Sequence, residues 1–190
     1  MIHNCDRHQR RSIRLRDYDY SQTGAYFVTI CTHNKDCLFG NVVNGEMVLN
    51  KYGRIVKEEW IKTSDIRKNV ELDVFTIMPN HFHGILVIID KCRGTVHRAP
   101  TLEQFAKPTS GSIPTIIRYF KSAVTRHVNE LRGMSNTPLW QRNYYEHVIR
   151  NEEDLNDIRE YIVNNAMKWD LDSENPNNAR ATCMLPLRKI

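Results

Sequence analysis

Residues 70 to 89 leave this chain few ways to fold. Val70 to Met78 is rich in β-branched and aromatic residues, Pro79-Asn80 interrupts it, and the chain resumes at His81 towards the continuous apolar run Ile85-Leu86-Val87-Ile88-Ile89. Runs of this length between breakers read as strands, and one that is apolar without alternation reads as a strand buried inside a sheet. Successive side chains on a strand point to opposite faces, so His81 and His83 share one face while Phe82 is buried on the other. Two imidazoles so placed are either half of a metal site or ordinary alternating histidines. The pattern alone does not separate the two, and further ligands must come from elsewhere in the chain.

The other elements follow from local chemistry. Tyr26 to Ile30 reads as a first strand, closed by Cys31 and Thr32. Leu38–Val43 and Met47–Leu49 flank Asn44-Gly45, whose residues accept the positive φ of a tight turn, and so predict a hairpin. Asn50 caps a helix to about Thr63, with Val56 and Trp60 inward. Gly94, Pro100, Pro108 and Gly111 mark a long loop over residues 91–111. Ser112 then caps a helix with Pro114 in its first turn and Ile113, Ile116, Ile117, Phe120, Val124, Val128 and Leu131 at helical spacing; Arg118 and Lys121 lie off that stripe. Tyr145 to Ile149 is extended. Asn151 caps a last helix whose first turn holds Glu152, Glu153 and Asp154 and whose core stripe is Leu155, Ile158, Ile162 and Trp169. Setting the hairpin aside, the order is βαββαβ plus a helix, the ferredoxin-like α+β arrangement of an antiparallel sheet with helices on one face.

The 190 residues suit one domain, expected over 21–170, between a basic extension (1–20) and a surface tail (171–190). No apolar stretch approaches the ~18 residues of a membrane span, and the Arg-rich start lacks a signal peptide's apolar core, so a cytoplasmic protein is expected. Five cysteines without Cys-x-x-Cys spacing argue against a disulfide framework or a zinc ribbon. The net charge is +5, and residues 1–16 carry five arginines against Asp6 alone, which suits a polyanion such as nucleic acid.

Tyr161 and Asn165, four residues apart, are predicted on one face of the last helix while Ile162 faces the core. A phenol can be a nucleophile and a carboxamide oxygen a neutral ligand; equally, both can be unremarkable residues at a helix edge. The ordered set Arg11-Ser12-Ile13-Arg14-Leu15, Tyr26–Thr32, Met78-Pro79-Asn80-His81-Phe82-His83-Gly84, Leu139–His147 and Tyr161-Ile162-Val163-Asn164-Asn165 closely resembles the REP-associated tyrosine transposases. These belong to the single-tyrosine HUH transposases, named for their His-hydrophobic-His motif, and the likeness spans roughly residues 11 to 169. It implies a divalent ion, Mg²⁺ or Mn²⁺, held by His81, His83 and Asn165, with Tyr161 as the nucleophile. One departure is Ala166, where relatives often have Pro.

The resemblance further implies cleavage and rejoining of single-stranded DNA near short hairpins, such as repeated extragenic palindromes, through a 5′-phosphotyrosine. The partner would be hairpin-forming DNA and the protein a monomer or a homodimer. A non-catalytic module that binds hairpin DNA or RNA, and a metal hydrolase that uses water, remain the alternatives. Tyr144 and Tyr145 rival Tyr161 but read as strand packing or base-stacking residues. Arg11, Arg14, Arg16, Arg118, Lys121 and Arg142 are candidate phosphate contacts.

Overall fold

The computed structural model describes residue 15 and residues 18–90 and 109–178. The candidate contacts Arg11, Arg14 and Arg16, most of the 91–111 loop and residues 179–190 lie outside these described residues.

Among the described residues, six strands and three α-helices run in the order β1 (Gly24–Cys31), β2 (Gly40–Val43), β3 (Glu46–Leu49), α1 (Lys51–Ile66), β4 (Val70–Ile77), β5 (His81–Ile88), α2 (Ile113–Arg132), β6 (Tyr145–Ile149) and α3 (Glu152–Val163). The main sheet has the order β4-β5-β1-β6, antiparallel throughout, which is the expected ferredoxin-like topology. β2 and β3 form a separate hairpin around Asn44 and Gly45, both at positive φ. β5 lies between β4 and β1, which explains its unbroken apolar run.

The two faces of the sheet are covered differently. On one face Tyr26, Val28, Ile30, Phe82, Leu86 and Ile88 pack with α1 and α2 into the main core. Phe82 meets Trp60 of α1 with ring centroids 4.5 Å apart and Phe120 of α2 at 5.5 Å. Gly84 is a glycine because Trp60 and Phe82 occupy the space a Cβ would need, at 2.7 and 2.8 Å. On the opposite face Phe27, Ile85, Ile149 and Ile162 form a smaller cluster beneath α3, so the added helix does not share the face of the other two.

A register shift between Leu72 and Phe75 turns β4 over. Leu72 and Phe75 both pack with the main core, while Val74 joins the α3 cluster and Asp73 accepts from Arg159 of α3 at 2.6 and 3.0 Å.

The caps follow sequence with two differences. Asn50 Oδ1 accepts from the Tyr52 and Gly53 amides, and Asn151 Oδ1 from the Asp154 amide. Ser112 occupies the N-cap of α2 but makes no capping bond; its hydroxyl points to Thr115 Oγ1 at 3.4 Å. Trp169 falls outside α3, in a 3-10 turn over Trp169–Leu171. From there the chain, through Asn178, folds back against the sheet end, where Glu174 and the buried Asn175 hold it.

Candidate active site

The strand alternation expected at β5 places both imidazoles on the face beneath α3. Thr29 and Cys31 of β1 are their register partners. His81 and His83 are 0% and 3% exposed, and their ring centroids stand 4.5 Å apart. Burial pushes the His81 pKa down to about 4, and burial and the neighbouring His81 push His83 well below its ordinary value. Both rings are therefore neutral near pH 7 and present lone pairs.

The orientation of His81 is set by the residue before it. Asn80 is fully buried, and its Nδ2 donates to the carbonyls of Lys35 at 3.1 Å and Glu174 at 2.6 Å. Its Oδ1 is thus turned to His81 Nδ1, 2.9 Å away. An amide oxygen only accepts, so the His81 proton sits on Nδ1 and the Nε2 lone pair faces inward. His83 has a comparable support, with Nδ1 2.8 Å from Thr29 Oγ1. Sequence reasoning passed over both supports, although Asn80 stands inside the motif itself.

Tyr161 reaches this pair from the last turn of α3. Its hydroxyl lies 3.3 Å from His83 Nε2, its ring packs edge-on to Phe27 and His83, and 47% of the residue stays exposed. Burial of the hydroxyl end and the negative charge of Asp172 push the phenol up to about 12. Asn165 sits just beyond the helix, in the turn that starts at Asn164, and is 4% exposed. Its carboxamide influences both His81 and Tyr161. His81 Nε2 and Asn165 Oδ1 are both buried without a hydrogen-bond partner.

One imidazole and one amide lone pair left open, beside a second imidazole nitrogen, suit a divalent cation. His81, His83 and Asn165 are the residues that would hold it. No three His, Cys, Asp or Glu side chains form a ready-made metal cluster among the described residues; the buried polar groups gathered at this point are two imidazoles and an amide. Asp172, whose Oδ2 stands 3.8 Å from His81 Nε2, adds negative charge at the rim; its own pKa is raised by burial. Sequence inspection assigned Asp172 to the tail and had no signal for its position.

The remaining candidates are dispersed. Tyr144 packs against the main core, while Tyr145 is exposed, with its ring 6.3 Å from Phe27. Arg118 and Arg142 are exposed. Lys121 donates to the carbonyls of Gln141, Arg142 and Asn143 at 2.6, 3.2 and 3.4 Å, so it clamps the loop before β6 and has no donor left over.

No protein-family model matches the chain. An uncharacterized protein of Haemophilus influenzae is 44% identical over 175 residues, covering 90% of this chain and 95% of that protein. Among solved structures, the REP-associated tyrosine transposase bound to a REP hairpin is similar with a TM-score of 0.55 and 20% identity, covering 82% of this chain and 73% of that one. A putative transposase from Deinococcus radiodurans aligns with a TM-score of 0.42 and 16% identity over 80% of this chain and 95% of that one. The chain therefore belongs with the Haemophilus influenzae protein to one family, and its fold is that of the REP-associated tyrosine transposase.

Proposed function

We propose that this protein cleaves and rejoins single-stranded DNA near short hairpins, with Tyr161 as nucleophile and a divalent ion held by His81, His83 and Asn165. The observation that supports it best is the convergence of a half-exposed phenol, 3.3 Å from one imidazole, with two buried and unpartnered lone pairs. A hydrolase needs no such phenol, and a binding module needs none of the three.

When bound, the ion supplies positive charge beside the phosphorus under attack and orients the phosphoryl group. The chain's own residues do the rest. Tyr161 Oη attacks phosphorus in line and loses its proton, and the O–P bond to the 3′ oxygen breaks. That oxygen takes up a proton and leaves as a free 3′-hydroxyl, with the 5′-phosphate now on tyrosine. The ester is conserved, so the reverse attack by a 3′-hydroxyl rejoins the strand without nucleotide hydrolysis. Ring contacts with Phe27 and His83 hold the phenol in place, and Asn80 and Thr29 hold the imidazoles. Hairpin DNA enters this reading because the similar transposase is bound to a REP hairpin.

The test incubates the protein with an end-labelled, hairpin-bearing single strand and Mn²⁺ or Mg²⁺, followed by denaturing electrophoresis and mass analysis. A covalent adduct on Tyr161, lost in Tyr161→Phe, is the expected result. Cleavage without an adduct would assign the site to hydrolysis, and binding alone would leave a recognition module.

A further inference from the structure

The strap of chain that follows α3 delivers a carboxylate to the imidazole pair. Asn175 Nδ2 donates to the Trp169 carbonyl at 2.9 Å, Asn178 Nδ2 to the Asp172 carbonyl at 3.1 Å and Asn80 Nδ2 to the Glu174 carbonyl at 2.6 Å. The residue that orients His81 therefore also fixes the strap. Within it, Asp172 Oδ1 accepts from the Glu174 amide at 2.7 Å, while Oδ2 stands 3.8 Å from His81 Nε2, on a side chain only 10% exposed. Lys35 answers the neighbouring Glu174, 3.2 Å from its Oε2.

These groups are mismatched with one another. His81 carries its ring proton on Nδ1, towards Asn80 Oδ1, so Nε2 offers a lone pair and the carboxylate opposite offers another. Asn165 Oδ1, buried and without a hydrogen-bond partner, is a third acceptor at the same site. Acceptors that face one another repel unless a proton or a cation lies between them, and buried charges are paired or coordinate metals. At 3.8 Å, His81 Nε2 and Asp172 Oδ2 are beyond hydrogen-bond distance, yet within the ~4.2 Å that one ion about 2.1 Å from each can span.

We propose that Asp172 is a further ligand of the divalent ion, which then meets two imidazoles, an amide oxygen and a carboxylate. The proposal rests on the metal-site reading above. Asp172 and the two imidazoles form no ready-made cluster, so the carboxylate closes on the ion from the rim. It cancels one of the ion's two positive charges and adds the hard oxygen donor that suits Mn²⁺ and Mg²⁺.

The experiment measures Mn²⁺ binding to the full chain by electron paramagnetic resonance, and takes as the site's share the binding that His81→Gln removes. Asp172→Asn keeps an oxygen to accept from the Glu174 amide and loses the charge, and should weaken that binding by at least about tenfold. In the native chain labelled with ¹³C at its aspartate carboxyl groups, Mg²⁺ should shift the Asp172 resonance, and this measurement alone carries the result if Asp172→Asn does not fold. Equal affinity in the two chains, or an Asp172 resonance unmoved by saturating Mg²⁺, overturns the proposal. A native chain that binds no Mn²⁺ overturns it together with the ion of the reading above. The Tyr161 adduct is read independently. Asp172-dependent binding without an adduct removes the chemistry and keeps the ligand, and an adduct with equal affinities does the reverse.

Discussion

At the scale of single residues, the site depends on buried polar groups whose protons are held in place. Asn80 joins three segments by donating to Lys35 and Glu174 while it accepts from His81. Asn80→Ala should cost about 1–3 kcal/mol in denaturant unfolding because those partners lose a buried bond. It should also weaken Mn²⁺ binding, followed by electron paramagnetic resonance, by roughly 10–100-fold, the range for a lost ligand support. The neutral histidines set a pH dependence. In the unfolded chain a histidine takes its proton near pH 6.5, whereas folded His81 takes it only near 4. Between those values the unfolded state binds more protons, so stability present above pH 6.5 is lost as pH falls towards 4, by on the order of 3 kcal/mol for His81. His83 acts in the same direction. Urea titrations in chelator from pH 7.5 to 4.5 measure this loss, and His81→Gln should reduce it to the part due to His83. The alternation of His81 and His83 was legible in sequence because a strand has period two. Asn80 and Asp172 were not, since their roles depend on a carbonyl and a charge delivered by distant chain.

At the scale of elements, the packing reverses one simple rule. Glycine inside a helix normally favours replacement by alanine, by about 1 kcal/mol. Gly53 lies in α1, yet a Cβ there would stand 2.2 Å from the Phe39 carbonyl oxygen and 2.9 Å from Leu49. Gly53→Ala should therefore destabilise, by about 1–3 kcal/mol as for other overpacked sites, with a lower melting temperature as the readout. A stabilised variant would show that Phe39 and Leu49 do not lie against Gly53. Strand and helix positions were readable because each is marked by its own caps and periodicity, Asn50 and Asn151 most clearly. The placement of α3 was not, because Leu155, Ile158 and Ile162 show only that one side of the helix is apolar and not which face of the sheet it covers. The parity change in β4 was equally hidden, since neither Asp73 nor Val74 is a residue that marks a bulge by its type.

For the whole molecule, the two sides of the sheet differ in how firmly they are closed. The α1–α2 side buries Trp60, Phe82 and Phe120 together, whereas α3 fully buries Ile162 alone and is joined to β4 by Arg159 and Asp73. Local opening follows buried apolar contact, so amides of α3 should exchange hydrogen faster than those of β5 by at least about tenfold in native-state exchange. Equal protection would mean that the two layers unfold as one unit. The antiparallel order has a further consequence for synthesis. β5 lies at the centre of the sheet, but the phenol that meets it is supplied 78 residues later, after the last strand. Translation thus delivers the imidazoles early and the phenol late. A product interrupted before Tyr161 keeps both histidines and lacks the nucleophile, so on the proposed chemistry incomplete chains are harmless to DNA.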